Sequence, residues 1–416
     1  MRAGVRDWAP VLRLPWAFSP LRHRDFRLLW SGSLVSSVGT WMQRVAQGWL
    51  VLTLTGSPFW LGMDAFLGDA PFLVFSLFGG VLADRAERRR ILLVSQVVQM
   101  GCALLLMALL LVDQVTLGSI LALSFLSGLA QAFGAPAFQA LFPTLVPSEE
   151  IPKAIALNSI QFNLARVIGP GIAGVALHQV GAAGCMGLNG LSFLAVVGAL
   201  ASIPRRPAAG GGGASVLEGL KEGVGVVWRR RDLRGLVGLA FLGSACSIPL
   251  VTFLPVFARE VFHAGAGRYS ALLSAFGCGA VLGGVVVATT ASRMRRRGLI
   301  GAIGLLVYGL LTAGFGLSRS SVLSFAFLVA AGACLMVVFS SFMTLVQTSV
   351  GDSLRGRVVS IYGLAFRGGM PLGNLAAGAA AAAAGAPAVL VVCGVALVVA
   401  GGTVAARRRK DGVASM

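Results

Sequence analysis

Long apolar stretches follow one another along almost the whole of this 416-residue chain, separated mainly by short polar turns. Hydrophobic residues make up 56 % of the sequence and charged residues only 12 %, and the mean hydropathy is +0.85. Lipid offers no water to satisfy a bare backbone, so a run of about 20 apolar residues crosses a membrane as a helix. The composition excludes a water-soluble domain and predicts an all-α, polytopic membrane protein.

Twelve stretches have the length of a transmembrane helix. Some neighbours, such as those on either side of residues 318–321, lie so close together that eleven or thirteen helices stay open as alternatives. The predicted spans are 28–54, 59–82, 90–112, 117–142, 154–178, 184–203, 235–258, 268–291, 298–317, 322–348, 358–383 and 387–405.

A polar segment between the sixth and seventh spans divides the chain into two sets of six. Its run Gly210–Gly213 predicts a flexible linker, and Val216, Leu220, Val224 and Val227 recur at the spacing of a short amphipathic helix on the inner membrane surface. The predicted domains are a tail (1–27), a six-helix bundle (28–203), the linker (204–234), a second six-helix bundle (235–405) and a carboxyl-terminal tail (406–416).

The two predicted bundles share an internal repeat. A shift of about 200 residues aligns Arg166 with Arg367 and Pro170 with Pro371, each pair in the fifth helix of its set. Repeats of this kind are common in transporters, so the sequence predicts two pseudo-symmetric halves.

The basic residues are distributed unevenly across the predicted membrane. The formal net charge is +19, and with the amino terminus inside, 28 of the 34 lysines and arginines fall on the inner side. The positive-inside rule accounts for this asymmetry without nucleic acid and predicts an inner-membrane protein with both termini in the cytoplasm. The clusters Arg229–Arg231 and Arg407–Lys410 are predicted to contact anionic membrane lipid.

Ionisable residues inside a membrane cost at least about 2.5–3.5 kcal/mol each and usually mark a pathway or an ion pair. Five candidates stand out in the predicted spans: Arg44, Asp64, Asp69, Arg166 and Arg367. Arg44 and Asp69 are about equally far from the first outer turn, so they share one depth on neighbouring helices. Asp69 is therefore a candidate proton carrier paired with Arg44, and Asp64 lies one to two turns further out. A permanent bridge between Arg44 and Asp69 that only ties two helices together is an equal alternative, and a substrate-binding role for Arg44 is a third, smaller one.

The intramembrane charges sum to three positive and two negative, which favours an anionic or neutral substrate over a lipophilic cation. Several polar residues are candidates for a central substrate cavity, although some of them would instead hydrogen-bond between helices. The principal candidates are Gln43, Gln131, Asn163, Arg166, Gln347 and Arg367, with Gln139, Asn189 and Asn374 as further possibilities.

A short basic turn, from Gly79 to Arg90, joins the second and third spans. Asp84 can approach the positive amino-terminal end of a neighbouring helix, the eleventh being the candidate, while the arginines pair with acids or lipid. Contacts that form in one state and break in another would make this turn an inner gate. The alternative is a plain positive-inside turn.

These segments resemble the major facilitator superfamily, in the branch that contains the enterobactin exporter and macrolide efflux proteins. GVLADRAERR resembles the GxxxD[RK]xGR[RK] loop of that superfamily, although Glu87 stands where glycine is usual. ARVIGPGIAG resembles the glycine-proline motif of exporters. The resemblance covers residues 20 to 405 and implies alternating access, usually driven by proton exchange. It assigns a gating role to Gly80, Asp84, Arg85, Arg88 and Arg89, and an exporter motif to Arg166, Gly169, Pro170 and Gly174.

The sequence holds no HExxH, GxSxG or Walker motif and no metal-ligand spacing, so we expect neither an enzyme nor a metal or cofactor. We expect a monomeric, proton-coupled antiporter that exports a small amphipathic molecule, siderophore-like or an antibiotic. An importer or facilitator on the same fold, a lipid transporter and a non-transporting sensor or assembly partner stay open.

Overall fold

A computed structural model describes residues 16–204, 216–290 and 296–414, and these residues contain helices but no β-strand. The predicted linker run Gly210–Gly213 and most of the amino-terminal tail lie outside the described residues. The helices are α1 (Arg24–Thr55), α2 (Pro58–Arg85), α3 (Arg88–Leu111), α4 (Leu117–Leu141), α5 (Ile151–Ser202), α6 (Val216–Arg229), α7 (Arg231–Thr252), α8 (Leu254–Val256), α9 (Ala266–Thr290), α10 (Arg297–Leu317), α11 (Ser321–Thr348), α12 (Asp352–Ala384) and α13 (Ala386–Ala414).

Together these helices make twelve membrane crossings. Within the described part of the chain, nine helices are long and apolar enough to span a bilayer, and α5 is long enough to do so twice. Its two arms meet at Gly181, whose φ of 65° and ψ of −172° break the helix. The charged helices α1 and α12 complete the set, and the predicted twelve-helix fold is confirmed.

The two halves repeat one pattern of helix packing. In the first half α1 packs on α5, α2 on α4, and α3 on both α4 and α5. In the second half α7 packs on α12, α9 on α11, and α10 on both α11 and α13. Each pair in one half has its counterpart in the other, as expected for two pseudo-symmetric bundles.

Each helix crossing connects two ends of the molecule, which we call the basic end and the opposite end. The basic end carries the turns at 86–87, 142–150 and 349–351 and the junction of α6 with α7. The opposite end carries the turns at 56–57, 112–116, 262–265 and 318–320, together with Gly181 and Gly385.

The halves touch each other through α2 with α12 and through α5 with α9. The closest approaches lie toward the opposite end, where Gly62 meets Asn374 and Gly378, and where Arg259 donates a hydrogen bond of 2.8 Å to the Leu52 carbonyl. Toward the basic end, a Cβ built on Gly80 meets no atom within 4 Å. Among the described residues, the close contacts between the halves thus lie toward the opposite end and at mid-depth.

Candidate functional site

Charged side chains from both halves converge at mid-depth around Asp69. The charges of Arg44 on α1 and Arg367 on α12 both act on the Asp69 carboxylate. Arg44 lies over the Trp41 ring at 5.1 Å, and Arg367 lies over the Phe72 ring of the other half at 4.2 Å. Asp69 is half-buried, whereas the two arginines are exposed despite their depth. This cluster therefore borders the space between the halves.

No direct ion pair joins Arg44 to Asp69 among the residues that the structure describes. Every ion pair within 4 Å in that set involves other residues, and Asp69 has no hydrogen-bond partner there. The shared depth inferred from the first turn thus brings the two charges into electrostatic reach without contact. A carboxylate in this position interacts with a cation from each half at once.

Asp64 has different surroundings on the same helix. Gln47 Nε2 donates to its two carboxylate oxygens at 2.9 and 3.0 Å, and Ser124 Oγ donates to Oδ1 at 2.5 Å. Hydrogen bonds to a buried carboxylate offset the cost of removing it from water. These three hydrogen bonds, from two donor side chains, hold Asp64 inside the first half, between α1, α2 and α4.

A chain of side-chain amides leads from Asp64 into the first half. Gln43 Nε2 donates to Gln47 Oε1 at 3.3 Å, and Asn189 Nδ2 on the second arm of α5 donates to Gln43 Oε1 at 2.6 Å. All the amide donors point toward Asp64. Gln43, predicted to face the cavity, thus takes part in this chain.

Sequence reasoning missed Gln47 and Ser124. Gln47 lies one turn after Gln43 on the same face of α1, so the sequence could have indicated that the two amides are neighbours. Ser124 carried no such signal, because its contact depends on how α4 is rotated against α2.

Arg166 is half-buried between the rings of Trp41, at 5.9 Å, and Phe276 of the other half, at 5.0 Å. Pro170 has no N–H, so it leaves the Arg166 carbonyl without its helical donor. Gly277 on α9 faces that carbonyl: a Cβ built there would lie 3.0 Å from the oxygen. Pro170 thus leaves the Arg166 carbonyl without its helical hydrogen bond, and the backbone of α9 packs against this carbonyl.

The small residues around Pro170 permit close packing on two sides. A Cβ on Gly169 would lie 2.8 Å from the Val38 carbonyl of α1, and one on Gly174 would lie 2.9 Å from Ser270 Oγ of α9. Ser270 Oγ also donates to the Pro170 carbonyl. The glycine-proline segment therefore lies where the two halves meet.

The remaining cavity candidates are dispersed. Gln131 is exposed and accepts a bond of 3.2 Å from Gln99, and Gln347 is exposed near the basic end of α11. Asn163 donates to the Ser159 carbonyl at 2.8 Å, while its Oδ1 is buried and lacks a hydrogen-bond partner within the described chain. Of the six principal candidates, Arg166 and Arg367 each lie over an aromatic ring of the other half.

In the basic turn, two arginines are fixed to the first half. Arg88 donates to the Ala140 carbonyl at 3.1 Å, and Arg89 donates to the carbonyls of Leu200 and Ala201 at 2.5 and 3.1 Å. These acceptors are the last carbonyls of α4 and α5, which favour a cation. Arg88 and Arg89 therefore bind the turn to its own bundle.

Asp84 and Arg85 are exposed, and neither makes a hydrogen bond or an ion pair within the described ranges. No hydrogen bond or ion pair joins Asp84 to α12 among the described side chains, so its predicted approach to the start of that helix stays a prediction. The open space beside Gly80 belongs to the same face of α2.

Twelve helices in two pseudo-symmetric halves, with charged and aromatic residues gathered at mid-depth between them, define a polytopic membrane transporter. The family model described as transmembrane secretion effector, of the major facilitator superfamily, matches residues 16–411. The chain belongs to this family, and it is a transport protein and not an enzyme.

Curated relatives are about a quarter identical to the chain over the aligned residues. Macrolide efflux protein A of Streptococcus pyogenes is 24 % identical over 84 % of this chain and 87 % of its own length. Multidrug efflux pump Tap of Mycolicibacterium fortuitum is 28 % identical over 84 % and 88 %. The staphyloferrin A transporter of Staphylococcus aureus is 28 % identical over 36 % of this chain and 38 % of its own.

Solved structures share the fold. A bacterial homologue of the human lysosomal transporter Spinster, in an inward-facing and unoccupied conformation, superposes with a TM-score of 0.74 at 16 % identity. The match covers 94 % of this chain and 98 % of that one.

Proposed function

We propose that the protein is a proton-coupled antiporter that exports a small amphipathic molecule from the cytoplasm by alternating access. The observation that best supports this proposal is the position of Asp69. Its carboxylate interacts electrostatically with Arg44 on its own half and with Arg367 on the other half. If the halves move against each other, Arg367 moves relative to Asp69 while Arg44 stays in the same half, and the proton affinity of Asp69 changes with the distance to Arg367. Each conformation would then load or release a proton at one side.

The basic end is proposed to face the cytoplasm because of its excess of arginine. The structure is then the inward-open form of an inner-membrane protein, and both termini are cytoplasmic. The small, close contacts near Gly62 and Ser270 would close the outer side, and Asp84 would engage α12 when the inner side closes.

Export of an antibiotic or siderophore-like compound is favoured by the family and by relatives named for macrolide efflux, multidrug efflux and staphyloferrin A transport. Gln131, Asn163, Gln347, Arg166 and Arg367 are proposed to line the route of the substrate. The protein is proposed to work as a monomer in contact with membrane lipid.

The test is a proton-flux assay in proteoliposomes that hold the purified full-length protein. A pH gradient is imposed, and macrolides, catecholate and carboxylate siderophores and fluorescent dyes are added in turn. We expect a substrate to dissipate the gradient with wild-type protein and not with Asp69→Asn. Asp113→Asn, in an exposed turn at the opposite end, is the matched control and should behave as wild type.

Unchanged substrate-dependent proton flux in Asp69→Asn would remove Asp69 from the mechanism. Substrate movement without any proton flux would favour a facilitator on the same fold.

A further inference from the structure

A cluster of aromatic and basic side chains lies exposed where α6 joins α7. Trp228 is 70 % exposed, and Arg229, Arg231 and Arg234 are exposed around it. The Arg234 guanidinium lies 5.8 Å from the centre of the Trp228 ring. We call these four residues the Trp228 patch.

The packing of α6 explains why the patch faces outward. Val227 is buried, and Gly223 lies against the Arg357 backbone and Ile361 of α12. Glu222 also forms an ion pair with Arg357. With one face of α6 fixed on α12, Val224 and Trp228, one turn apart, are left on another face.

One arginine of the run 229–231 is already engaged. Arg230 pairs with Asp232 at 2.5 Å and donates to the Ser349 carbonyl at 2.9 Å. The side chains of Arg229, Arg231 and Arg234 make no hydrogen bond or ion pair with any residue that the structure describes. Three cations and an exposed indole are therefore available to a partner outside the chain.

The chain itself fixes the level of the patch relative to the membrane. Helix α7 begins at Arg231, and its buried apolar positions begin at Leu233. The residues from Arg231 to Val261 have the length and hydropathy of a membrane span. The patch is thus held within about one helical turn of the place where hydrocarbon begins, the layer that lipid headgroups occupy.

The chemistry of the patch matches an anionic headgroup. Indole rings favour the interface between hydrocarbon and water, and guanidinium groups bind phosphate through paired N–H donors. We propose that the Trp228 patch binds the headgroup of an anionic phospholipid of the same bilayer. This site requires neither proton coupling nor a direction of transport, so it stands apart from the proposed function.

Fluorescence quenching by brominated lipids tests the site. The full-length protein is reconstituted in phosphatidylcholine with a minor fraction of brominated lipid, either phosphatidylglycerol or phosphatidylcholine. The difference between wild type and Trp228→Phe isolates the signal of Trp228 from the other six tryptophans. We expect brominated phosphatidylglycerol to quench this signal more strongly, and high salt to reduce the difference.

Charge variants show whether the arginines recognise the headgroup. Each substitution among Arg229→Gln, Arg231→Gln and Arg234→Gln should lower the preference for phosphatidylglycerol about fivefold. The corresponding lysine variants keep the charge but lose the paired N–H donors, so they should lower the preference less than the glutamine variants do. Arg319→Gln, an exposed arginine at the opposite end, is the matched control and should leave it unchanged.

Equal quenching by the two brominated lipids would overturn the proposal, as would a preference that survives removal of all three arginines. Absence of quenching by either lipid would show that Trp228 faces water or another protein, and would overturn it equally. If the variant without all three arginines does not elute as a single species in gel filtration, the single-arginine variants provide the test.

Discussion

Two carboxylates on α2, five residues apart, have contrasting surroundings. Five residues correspond to about 140° of rotation around a helix, so the two side chains point in different directions. Asp64 points into the first half, where Gln47 and Ser124 donate to it. Asp69 points toward the other half, where Arg367 acts on it. The first environment is fixed within one bundle, and the second depends on both.

Removal of the donor from Gln47 should destabilise the protein. In Gln47→Leu, Asp64 keeps only Ser124 as a donor, and an unsatisfied buried polar group costs about 1–3 kcal/mol. We expect a lower midpoint of thermal unfolding in detergent, followed by fluorescence. Gln347→Leu makes the same change at an exposed position and should leave the midpoint unchanged. Equal midpoints for the two variants would show that the amide chain contributes nothing to stability.

Depth along a helix could be predicted at this scale, but side-chain partners could not. Counting residues from the first turn placed Arg44 and Asp69 at one level, because every helical residue adds the same rise. The partners of Asp64 depend on how α1, α2 and α4 are rotated against one another, and no single segment encodes that rotation.

Helices α2 and α12 approach most closely at the opposite end. A Cβ built on Gly62 would overlap the Asn374 carbonyl and lie 3.0 Å from Gly378 Cα. Any side chain at position 62 thus forces these helices apart, whereas a Cβ on Gly68 of the same helix meets no atom within 4 Å.

Gly62→Ala should shift the protein away from the form described here. In the proposed alternating-access cycle the substitution disfavours the form in which the opposite end is closed, so we expect a larger population with that end separated. The two populations are measured by the distance between two spin labels, one on α2 and one on α12, both placed at the opposite end of the molecule. Gly68→Ala, the control, should keep the wild-type distribution, and an unchanged distribution in Gly62→Ala would show that this contact does not set the balance.

The helices themselves were largely predictable, since each crossing needs a long apolar run. The turns and breaks between the helices were less predictable. The break in α5 falls at a glycine because its φ of 65° suits no other residue well, and the predicted gap between the fifth and sixth spans included it. The packing of α6 on α12 could not be read from the sequence, since the amphipathic pattern fits a membrane surface equally well.

Among the described residues, the close contacts between the halves lie toward the opposite end and at mid-depth. The basic turn is fixed to its own bundle by Arg88 and Arg89, and Asp84 is left exposed. In the proposed cycle Asp84 gains its contact with α12 only when the basic end closes. Its contribution therefore belongs to a form that this structure does not represent.

Asp84→Asn should weaken the closed basic end without affecting the open form. Loss of a charge near a helix amino terminus costs about 0.3–1 kcal/mol at exposed sites, which corresponds to a twofold to fivefold change in population. We expect labels on the basic ends of α2 and α12 to report fewer short distances. Asp113→Asn should leave the distances unchanged. More short distances in Asp84→Asn would contradict a closing role for Asp84.

The most direct test of the account is the pH dependence of the two conformations in wild type and in Asp69→Asn, measured by the same pairs of labels in lipid. If a proton on Asp69 sets which end is open, the wild-type populations shift with pH, and Asp69→Asn stays near one wild-type limit at every pH. An identical pH response in the two proteins would contradict the central claim that Asp69 couples protons to the motion of the halves.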